Sequence, residues 1–369
     1  MQIHSSSLPD FTEEDLSLAP LEQAETIPST WYTDPRFHEI DLRFVLGKTW
    51  QGVGHVSKLQ NPGDQIVGEA AGNPILVVRG DDHRLRAFFN VCRHRGGPLA
   101  IEDCNSKVLQ CHYHGWTYLL DGSLRGTPKF NRVELFDKKD FGLVPIRLEE
   151  WEGLVFVDLS GTATSLNSIL KDIPARITPF DLKTKTFFRR VTYDIRCNWK
   201  VYIDNYLEGY HLPYVHPELA KLLDYNHYVT ETSNFYSLQY SPFTEGENFY
   251  SADHGRAFYY FVFPNFMLNI LPGRLQTNLV LPVDHNHTRV IFDYCYDDIS
   301  SPKALRMIEQ DIEYSHKIQL EDIEICERVQ KGLESIAYHK GRFSPETELG
   351  VYHFQSLLKQ FYRRARNAS

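Results

Sequence analysis

Four residues in the first third of the chain have the types and spacing to hold a metal centre. Cys92 and His94 are separated by one residue; sixteen intervening residues then lead to Cys111, and two more to His114. Two thiolates and two imidazoles on two loops are the ligand set of a tetrahedral zinc, or of a 2Fe–2S cluster in which two cysteines hold one iron and two histidines the other. Zinc sites usually pair cysteine with cysteine and histidine with histidine. Here each loop supplies one of each, which suits a cluster whose two irons both loops must reach. Gly96, Gly97 and Pro98 after the first pair, and Gly115-Trp116 after the second, suit tight turns, close approach of backbone amides and exclusion of water. The remaining cysteines, Cys104, Cys197, Cys295 and Cys326, have no metal-like neighbours and are expected to be small buried hydrophobes.

A second constellation lies further along. In NWKVYIDNYLEGYHLPYVHPEL, His211 and His216 are five residues apart, which is not a one-face helical repeat. Pro213 is expected to break a helix between them so that both imidazoles converge. A carboxylate could join them from IQLEDIEICERVQKGL, where Glu321, Asp322, Glu324 and Glu327 fall on a predicted helix running from Pro302 to Lys331. Two imidazoles and one carboxylate on one face of Fe(II) leave positions open for dioxygen. The residues alone do not choose among these acids, most of which are expected to form an exposed helix face.

The elements that must carry these groups fall into two kinds. Residues 26 to 56 read as an amphipathic helix entered through a Thr-Asp-Pro turn, then a strand beginning near Trp50. From there to about Leu159, short apolar runs (Gln65 to Val67, Ile75 to Val78, Leu154 to Val157) alternate with Gly, Asp, Asn and Pro turns, the pattern of a small all-β unit. SLNSILKDIPARI beyond Gly161 reads as a helix and linker. The rest mixes strands (Phe187 to Ile195, Leu275 to Val283, His287 to Tyr296) with helices, giving a β unit followed by an α+β unit. With 369 residues, 42% of them hydrophobic, two packed cores are expected.

A formal charge of -9 argues against nucleic-acid binding, and the basic clusters Arg93, Arg95 and Arg363, Arg364, Arg366 read as solvated or interface patches. The most apolar stretch, Phe258 to Leu271, is interrupted by Pro264, Asn265 and Asn269, short of the roughly 18 uninterrupted residues of a membrane span. Acidic residues stand where an export signal would be basic, so a soluble cytoplasmic protein is expected.

The strings CRHRG and CHYHGW closely resemble the cluster motif of the Rieske non-haem iron oxygenases, the ring-hydroxylating oxygenase alpha-subunit family, and the similarity extends from Trp31 to about Phe354. Within that family, DNYLEGYHLPYVH is similar to the choline monooxygenase, glycine betaine oxygenase and proline betaine (stachydrine) demethylase branch. The resemblance implies an α+β fold in three parts. Residues 1–45 form an N-terminal helical segment packing with the catalytic domain, 46–160 a small all-β Rieske 2Fe–2S domain, and 161–369 a catalytic domain with an antiparallel sheet flanked by helices, helix-grip-like.

It further implies that Cys92, His94, Cys111 and His114 hold the cluster, and that Asp322 joins His211 and His216 on Fe(II). Glu208, three residues before His211, replaces the aspartate usual in ring dioxygenases and carries electrons between subunits of a head-to-tail homotrimer. The electrons come from NAD(P)H through a separate flavin/iron–sulfur reductase, since this chain has no dinucleotide fingerprint and no further cysteine set. The implied reaction uses O2 to N-demethylate or hydroxylate a small quaternary ammonium compound, for which Tyr202, Tyr206, Tyr210, Tyr259, Tyr260, Phe263 and Phe266 are candidate aromatic faces. Two alternatives stay open. An aromatic-acid hydroxylase or O-demethylase would share every metal ligand and need an arginine or amide in the pocket, with Arg274 and Asn269 the candidates. A non-enzymatic Rieske electron carrier would need no second iron.

Overall fold

The structure is a computed structural model that describes residues 9, 11–222, 227–242 and 256–367. The chain divides into two compact units: Gly47–Ser168 with Leu182–Phe187, and the segment up to Leu46 with Ile169–Asp181 and the chain from Phe188 onward.

The smaller unit is built from short antiparallel strands. Strands β1 (Gln51–His55), β2 (Asp64–Ala70), β3 (Asn73–Arg79), β4 (Leu85–Phe89), β5 (Cys104–Asn105), β9 (Pro145–Trp151) and β10 (Leu154–Asp158) form one sheet in the order β1-β10-β9-β4-β3-β2-β5. Strands β6 (Leu109–Gln110), β7 (Thr117–Tyr118) and β8 (Leu124–Gly126) form a second, small sheet. Two apolar clusters hold the unit: one around Ile66, Ile75, Val77 and Val155, the other around Leu76, Phe88, Trp116 and Tyr118. The second includes Cys92 and Cys111, so the candidate cluster loops rest on core. Cys104 departs from expectation: it is exposed, because β5 is a two-residue strand at the sheet edge.

The larger unit is organised by a sheet in the order β11-β17-β16-β15-β14-β13-β12, with β17 through β12 antiparallel. Its strands are β11 (Thr186–Ile195), β12 (Val229–Thr232), β13 (Tyr236–Pro242), β14 (Arg256–Val262), β15 (Phe266–Leu271), β16 (Arg274–Pro282) and β17 (Thr288–Tyr296). Where a single helix reads plausibly from sequence near residue 30, the chain makes α1 (Thr30–Thr33) and α2 (Pro35–Ile40), then a wider turn over Asp41–Val45 and a tight one over Leu46–Lys48. The Asp34 side chain caps α2 by accepting from the Arg36 amide at 2.9 Å, which fixes the break ahead of Pro35. The expected helix and linker after Gly161 is two short turns of helix, α3 (Leu166–Ile169) and α4 (Ile173–Arg176).

The remaining helices are α5 (Trp199–Tyr206), α6 (Leu212–Val215), α7 (Leu219–Leu222), α8 (Pro302–Leu333) and α9 (Leu349–Asn367). α8 spans 32 residues and starts from a Ser301 cap with Pro302 in its first turn. Asn198 caps α5 through the Lys200 amide at 3.0 Å. α5 is then pinned from below by a buried network: Lys200 Nζ donates to Asp41 Oδ2 at 2.6 Å, Trp199 Nε1 donates to the same oxygen at 2.8 Å, and Tyr362 donates to the other. Both charged partners are fully buried, so removing either one would strand the other, a change of roughly 3–5 kcal/mol.

At the end of α5, Asp204 accepts from Tyr32 at 2.6 Å and from Gln355 at 3.1 and 3.2 Å. Burial pushes its carboxyl up to about 7, despite these donors and the charge of Lys200. The folded protein therefore holds this proton more tightly than the unfolded chain, whose aspartates titrate near ~3.9. Stability contributed by the neutral form is complete below that value and is lost as pH rises through about 7. Thermal melts from pH 5 to 8 should accordingly show a shallower decline for Asp204→Asn than for the parent; equal slopes would contradict the assignment.

Candidate active site

In the smaller unit, the first candidate loop follows β4 and the second joins β6 to β7. Each closes on itself through backbone hydrogen bonds: Cys92 N–H to Gly97 O at 2.9 Å and Gly96 N–H to Cys92 O at 3.0 Å, then Cys111 N–H to Trp116 O at 2.8 Å and Gly115 N–H to Cys111 O at 3.0 Å. Gly96 and Gly115 both have φ of +73°, which other residues adopt only with strain. A Cβ at Gly97 would lie 2.9 Å from Cys111 Sγ, so that position must be glycine for the loops to approach.

The loops bring like donors together. Cys92 and Cys111 are buried and within hydrogen-bonding reach of each other, while the His94 and His114 rings meet at 4.7 Å. His94 stacks on Trp116 at 4.9 Å, and its buried Nδ1 has no partner among the described residues. Burial, then His114 and Arg95, lower the His94 pKa and favour the neutral imidazole that a metal requires. Burial raises the Cys92 thiol, while Tyr118 opposes that shift with its hydroxyl 3.3 Å from the sulfur. Paired sulfurs, paired imidazoles and an orphaned ring nitrogen fit a 2Fe–2S cluster with one iron on each pair.

In the larger unit, α6 sits between His211, which precedes it, and His216, which follows it. Pro213 does not break a helix here as expected. It stands in the first turn of α6, where its missing N–H costs nothing, and the two histidines flank a short turn. His211, His216 and Asp322 of α8 bring one ligand atom each within 4.8 Å of one another. Both imidazoles turn Nε2 toward Asp322 Oδ1, at 3.8 and 2.9 Å, and the rings stand 75° apart with centroids at 5.1 Å.

Each imidazole is also held from behind. His211 Nδ1 donates to Glu208 Oε1 at 2.6 Å, and His216 Nδ1 donates to Glu321 Oε2 at 2.6 Å. The Glu208 carboxylate is fixed by the backbone amides of Tyr210 and His211, and Asn205 donates to Asp322 at 2.7 Å. Burial disfavours a charged His216, but Asp322 and Glu321 outweigh it and raise its pKa above the ordinary histidine value. Of the acids considered from sequence, Asp322 faces the two Nε2 atoms, Glu321 grips an outer nitrogen, and Glu324 pairs with Arg328 on the exposed face. Two imidazoles whose outer nitrogens are engaged, with one carboxylate between them, fit Fe(II) bound on one face.

A cavity opens onto this triad. Tyr202, Tyr206 and Tyr259 line it, as do Arg274 and Asn269. The other ring candidates do not. Tyr210 is 51% exposed, Tyr260 packs at 5.9 Å from Tyr236, Phe263 sits on Phe354 and Phe361 in the core, and Phe266 is buried. Successive strand residues face opposite ways, so Tyr259 and Tyr260 of β14 could not both face one cavity. Sequence reading missed Tyr228, Gln239, Gln276, Asn278, Tyr314, Ser315 and Gln319 in the lining. Two signals could have found several of them: polar residues at alternate positions of an apolar strand (274, 276, 278), and a polar helical stripe at 311, 315, 319 and 322.

Residues 49–137 match the Rieske [2Fe–2S] domain, and residues 182–364 match the ring hydroxylating alpha subunit (catalytic domain). Choline monooxygenase, chloroplastic, of Arabidopsis thaliana is 35% identical over 354 residues, covering 92% of this chain and 83% of that protein. The carnitine monooxygenase oxygenase subunit of Escherichia coli (strain K12) is 34% identical over 378 residues, covering 97% and 100%. The solved structure of the quaternary ammonium Rieske monooxygenase CntA in complex with gamma-butyrobetaine superposes with a TM-score of 0.83 at 30% identity, covering 95% of this chain and 99% of that one. Naphthalene 1,2-dioxygenase, at 20% identity and a TM-score of 0.75, shares the fold.

This chain belongs to the Rieske ring-hydroxylating oxygenase alpha-subunit family. It is an oxidoreductase, the oxygenase component, with a Rieske 2Fe–2S cluster and a mononuclear iron as its cofactors and O2 and NAD(P)H as the family's co-substrates. Among the described residues no helix is long and apolar enough to cross a membrane.

Two experiments examine the ligand geometry. Cys111→Ser should abolish the visible cluster absorption, whereas His211→Ala should keep it and lower total iron from about three to about two per chain; bleaching of the cluster by His211→Ala would contradict the separation into two sites. Glu321→Gln should weaken Fe(II) or Co(II) binding to the mononuclear site by about 10- to 100-fold, read by metal titration of the cluster-loaded protein, because a neutral amide cannot hold the imidazole N–H as strongly. Parental affinity would remove Glu321 from the site.

Proposed function

We propose that Cys92, His94, Cys111 and His114 hold the Rieske cluster, that His211, His216 and Asp322 hold the iron, and that the reaction is oxygenation of a quaternary ammonium compound. The observation that carries this reading is the cavity. Tyr202, Tyr206 and Tyr259 line the cavity that opens onto the triad, and a cation without N–H donors is best stabilised by aromatic rings. Relatives of 34–35% identity over nearly the whole chain are named for choline and carnitine oxidation.

When bound, the iron supplies reductive activation of dioxygen. The chain's own residues do the rest. Tyr202, Tyr206 and Tyr259 orient the substrate's methyl group toward the triad, and Glu208 and Glu321 keep both imidazoles facing Asp322. With two electrons, two protons and O2, an N-methyl carbon becomes a hemiaminal and one water is released. The hemiaminal then loses formaldehyde to leave the demethylated amine. A choline-like substrate would instead be hydroxylated at its alcohol carbon.

Electrons come from NAD(P)H through a separate flavin/iron–sulfur reductase. The transfer from cluster to iron runs between copies in a head-to-tail homotrimer, with Glu208 linking His114 of one chain to His211 of the next. Surface character supports this. His114 and Tyr113 are exposed, Tyr113 at 58%, and on the larger unit Tyr210 and Tyr214 beside His211 are exposed at 51% and 81%. Large exposed rings at both electron-transfer histidines suit faces that pair with another copy. A solved relative, a quaternary ammonium Rieske monooxygenase, is described in terms of inter-subunit electron transfer.

Arg274 and Asn269 line the cavity, as an aromatic-acid oxygenase would need, so that reading is tested alongside. With an NADH-oxidising iron–sulfur flavoprotein as reductase, coupled NADH and O2 consumption should be stimulated by trimethylammonium compounds and not by benzoates. Stimulation by aromatic acids alone would overturn the reading.

A further inference from the structure

Glu208 lies outside any helix: α5 ends at Tyr206, and α6 begins only at Leu212. The hydrogen bonds that shape this turn are local. Its carboxylate accepts from the amides of Tyr210 and His211, and the Leu212 amide donates to Gly209 O at 3.2 Å. Bonds of this kind give a turn its shape but move with it, so where Glu208 stands in the larger unit is decided by contacts from elsewhere in the chain.

Two close approaches supply them, at the residues on either side of Glu208. The ring of Tyr228 lies against Gly209, where a Cβ would stand 3.0 Å from two of the ring atoms, inside ordinary van der Waals contact. From α9, Gly350 meets Leu207, and a Cβ on it would run into the Leu207 carbonyl oxygen. Tyr228 is itself tethered. Its hydroxyl donates to Gln239 Oε1 at 3.1 Å, and the same buried amide donates through Nε2 to Tyr206 O at 2.7 Å. Gln239 stands on β13 opposite Tyr259 of β14. One side chain of the sheet thus holds both the last carbonyl of α5 and the ring packed on Gly209, with Glu208 between them in sequence.

The reading of Glu208 given above, as brace of His211 and as electron bridge, gives this clamp a function. We propose that Tyr228 is a positioning residue: its ring on Gly209 and its hydroxyl on Gln239 keep the Glu208 carboxylate against His211 Nδ1. Without the ring the turn is free to swing, the 2.6 Å bond to Nδ1 is made only part of the time, and both functions of Glu208 weaken together. Tyr228 also lines the cavity, but a tyrosine that did no more than that would alter substrate affinity and leave the histidine untouched.

Two measurements read the two functions separately. Co(II) titration of the cluster-loaded protein reports the brace. Rapid mixing of the reduced holoenzyme with O2 and gamma-butyrobetaine, followed by cluster absorption, reports electron transfer. Tyr228→Ala should weaken Co(II) binding and slow cluster reoxidation about tenfold each, the low end of what loss of a ligand's outer hydrogen bond costs. Tyr228→Phe, which keeps the ring on Gly209, should bring both effects to about threefold or less. Gly209→Ala presses on the same contact from the other side, should weaken Co(II) as Tyr228→Ala does, and is read in its place where that variant does not fold. Action through Glu208 makes the effects non-additive: in a Glu208→Ala background, Tyr228→Ala should add less than about twofold to either. Full additivity, or parental Co(II) affinity in Tyr228→Ala or Gly209→Ala protein with intact cluster absorption, overturns the assignment. If Glu208→Ala and Tyr228→Ala both weaken Co(II) and neither slows cluster reoxidation, the electron bridge falls and Tyr228 stands as the residue that positions Glu208.

Discussion

Everything at the catalytic end depends on two imidazoles being gripped from behind. Glu208 and Glu321 each accept from an Nδ1 at 2.6 Å, and this turns both Nε2 atoms toward Asp322. A histidine free to rotate would offer either nitrogen, and the triad would exist only part of the time. The two carboxylates have different origins. Glu208 is local, three residues before its histidine and tied to two backbone amides, whereas Glu321 arrives from α8 beside Asp322. One helix thus supplies both the triad's carboxylate and the brace for one of its histidines, so the position of α8 sets the site.

That position is maintained by groups outside the site. Lys200, Trp199 and Tyr362 converge on Asp41 and fix α5, from which Asn205 reaches Asp322 and Tyr202 reaches Gln319 at 2.8 Å. Arg274 and Tyr296 tie Asp311, three turns up α8, to strands β16 and β17. Charged groups buried in this way are costly to leave alone, and Asp41 and Asp311 each accept from more than one donor. Their value here is orientation: α8 is fixed at both ends of the cavity against a rigid sheet.

How much of this could be read in the sequence depended on distance along the chain. The candidate cluster residues and the histidine pair are legible because each motif lies within one loop, where spacing alone restricts geometry. Glu321 and Asp322 could not be separated from residues alone, since adjacent helical residues differ only in direction and nothing local says which one faces the histidines. Tyr259 and Tyr260 look equivalent in sequence, yet a strand sends them to opposite faces. Pro213 looks like a breaker but opens α6, because a proline's role depends on where the helix starts. The pairing of Arg274 with Asp311 joins β16 to α8 across more than thirty residues, and only its alternating and helical spacings are visible in the sequence.

The proposed service of one chain's iron by another chain's cluster, through Glu208, is tested most directly by mixing subunits. Chains carrying Cys111→Ser and chains carrying His211→Ala, each inactive alone, are dissociated and reassembled together, and turnover is measured on oligomers verified to contain both. Some interfaces will pair an intact cluster with an intact iron, so activity should reappear in the mixture and be lost again when Glu208→Gln is added to the chain that retains its iron. No recovery in verified mixed oligomers would mean that electrons travel within one chain.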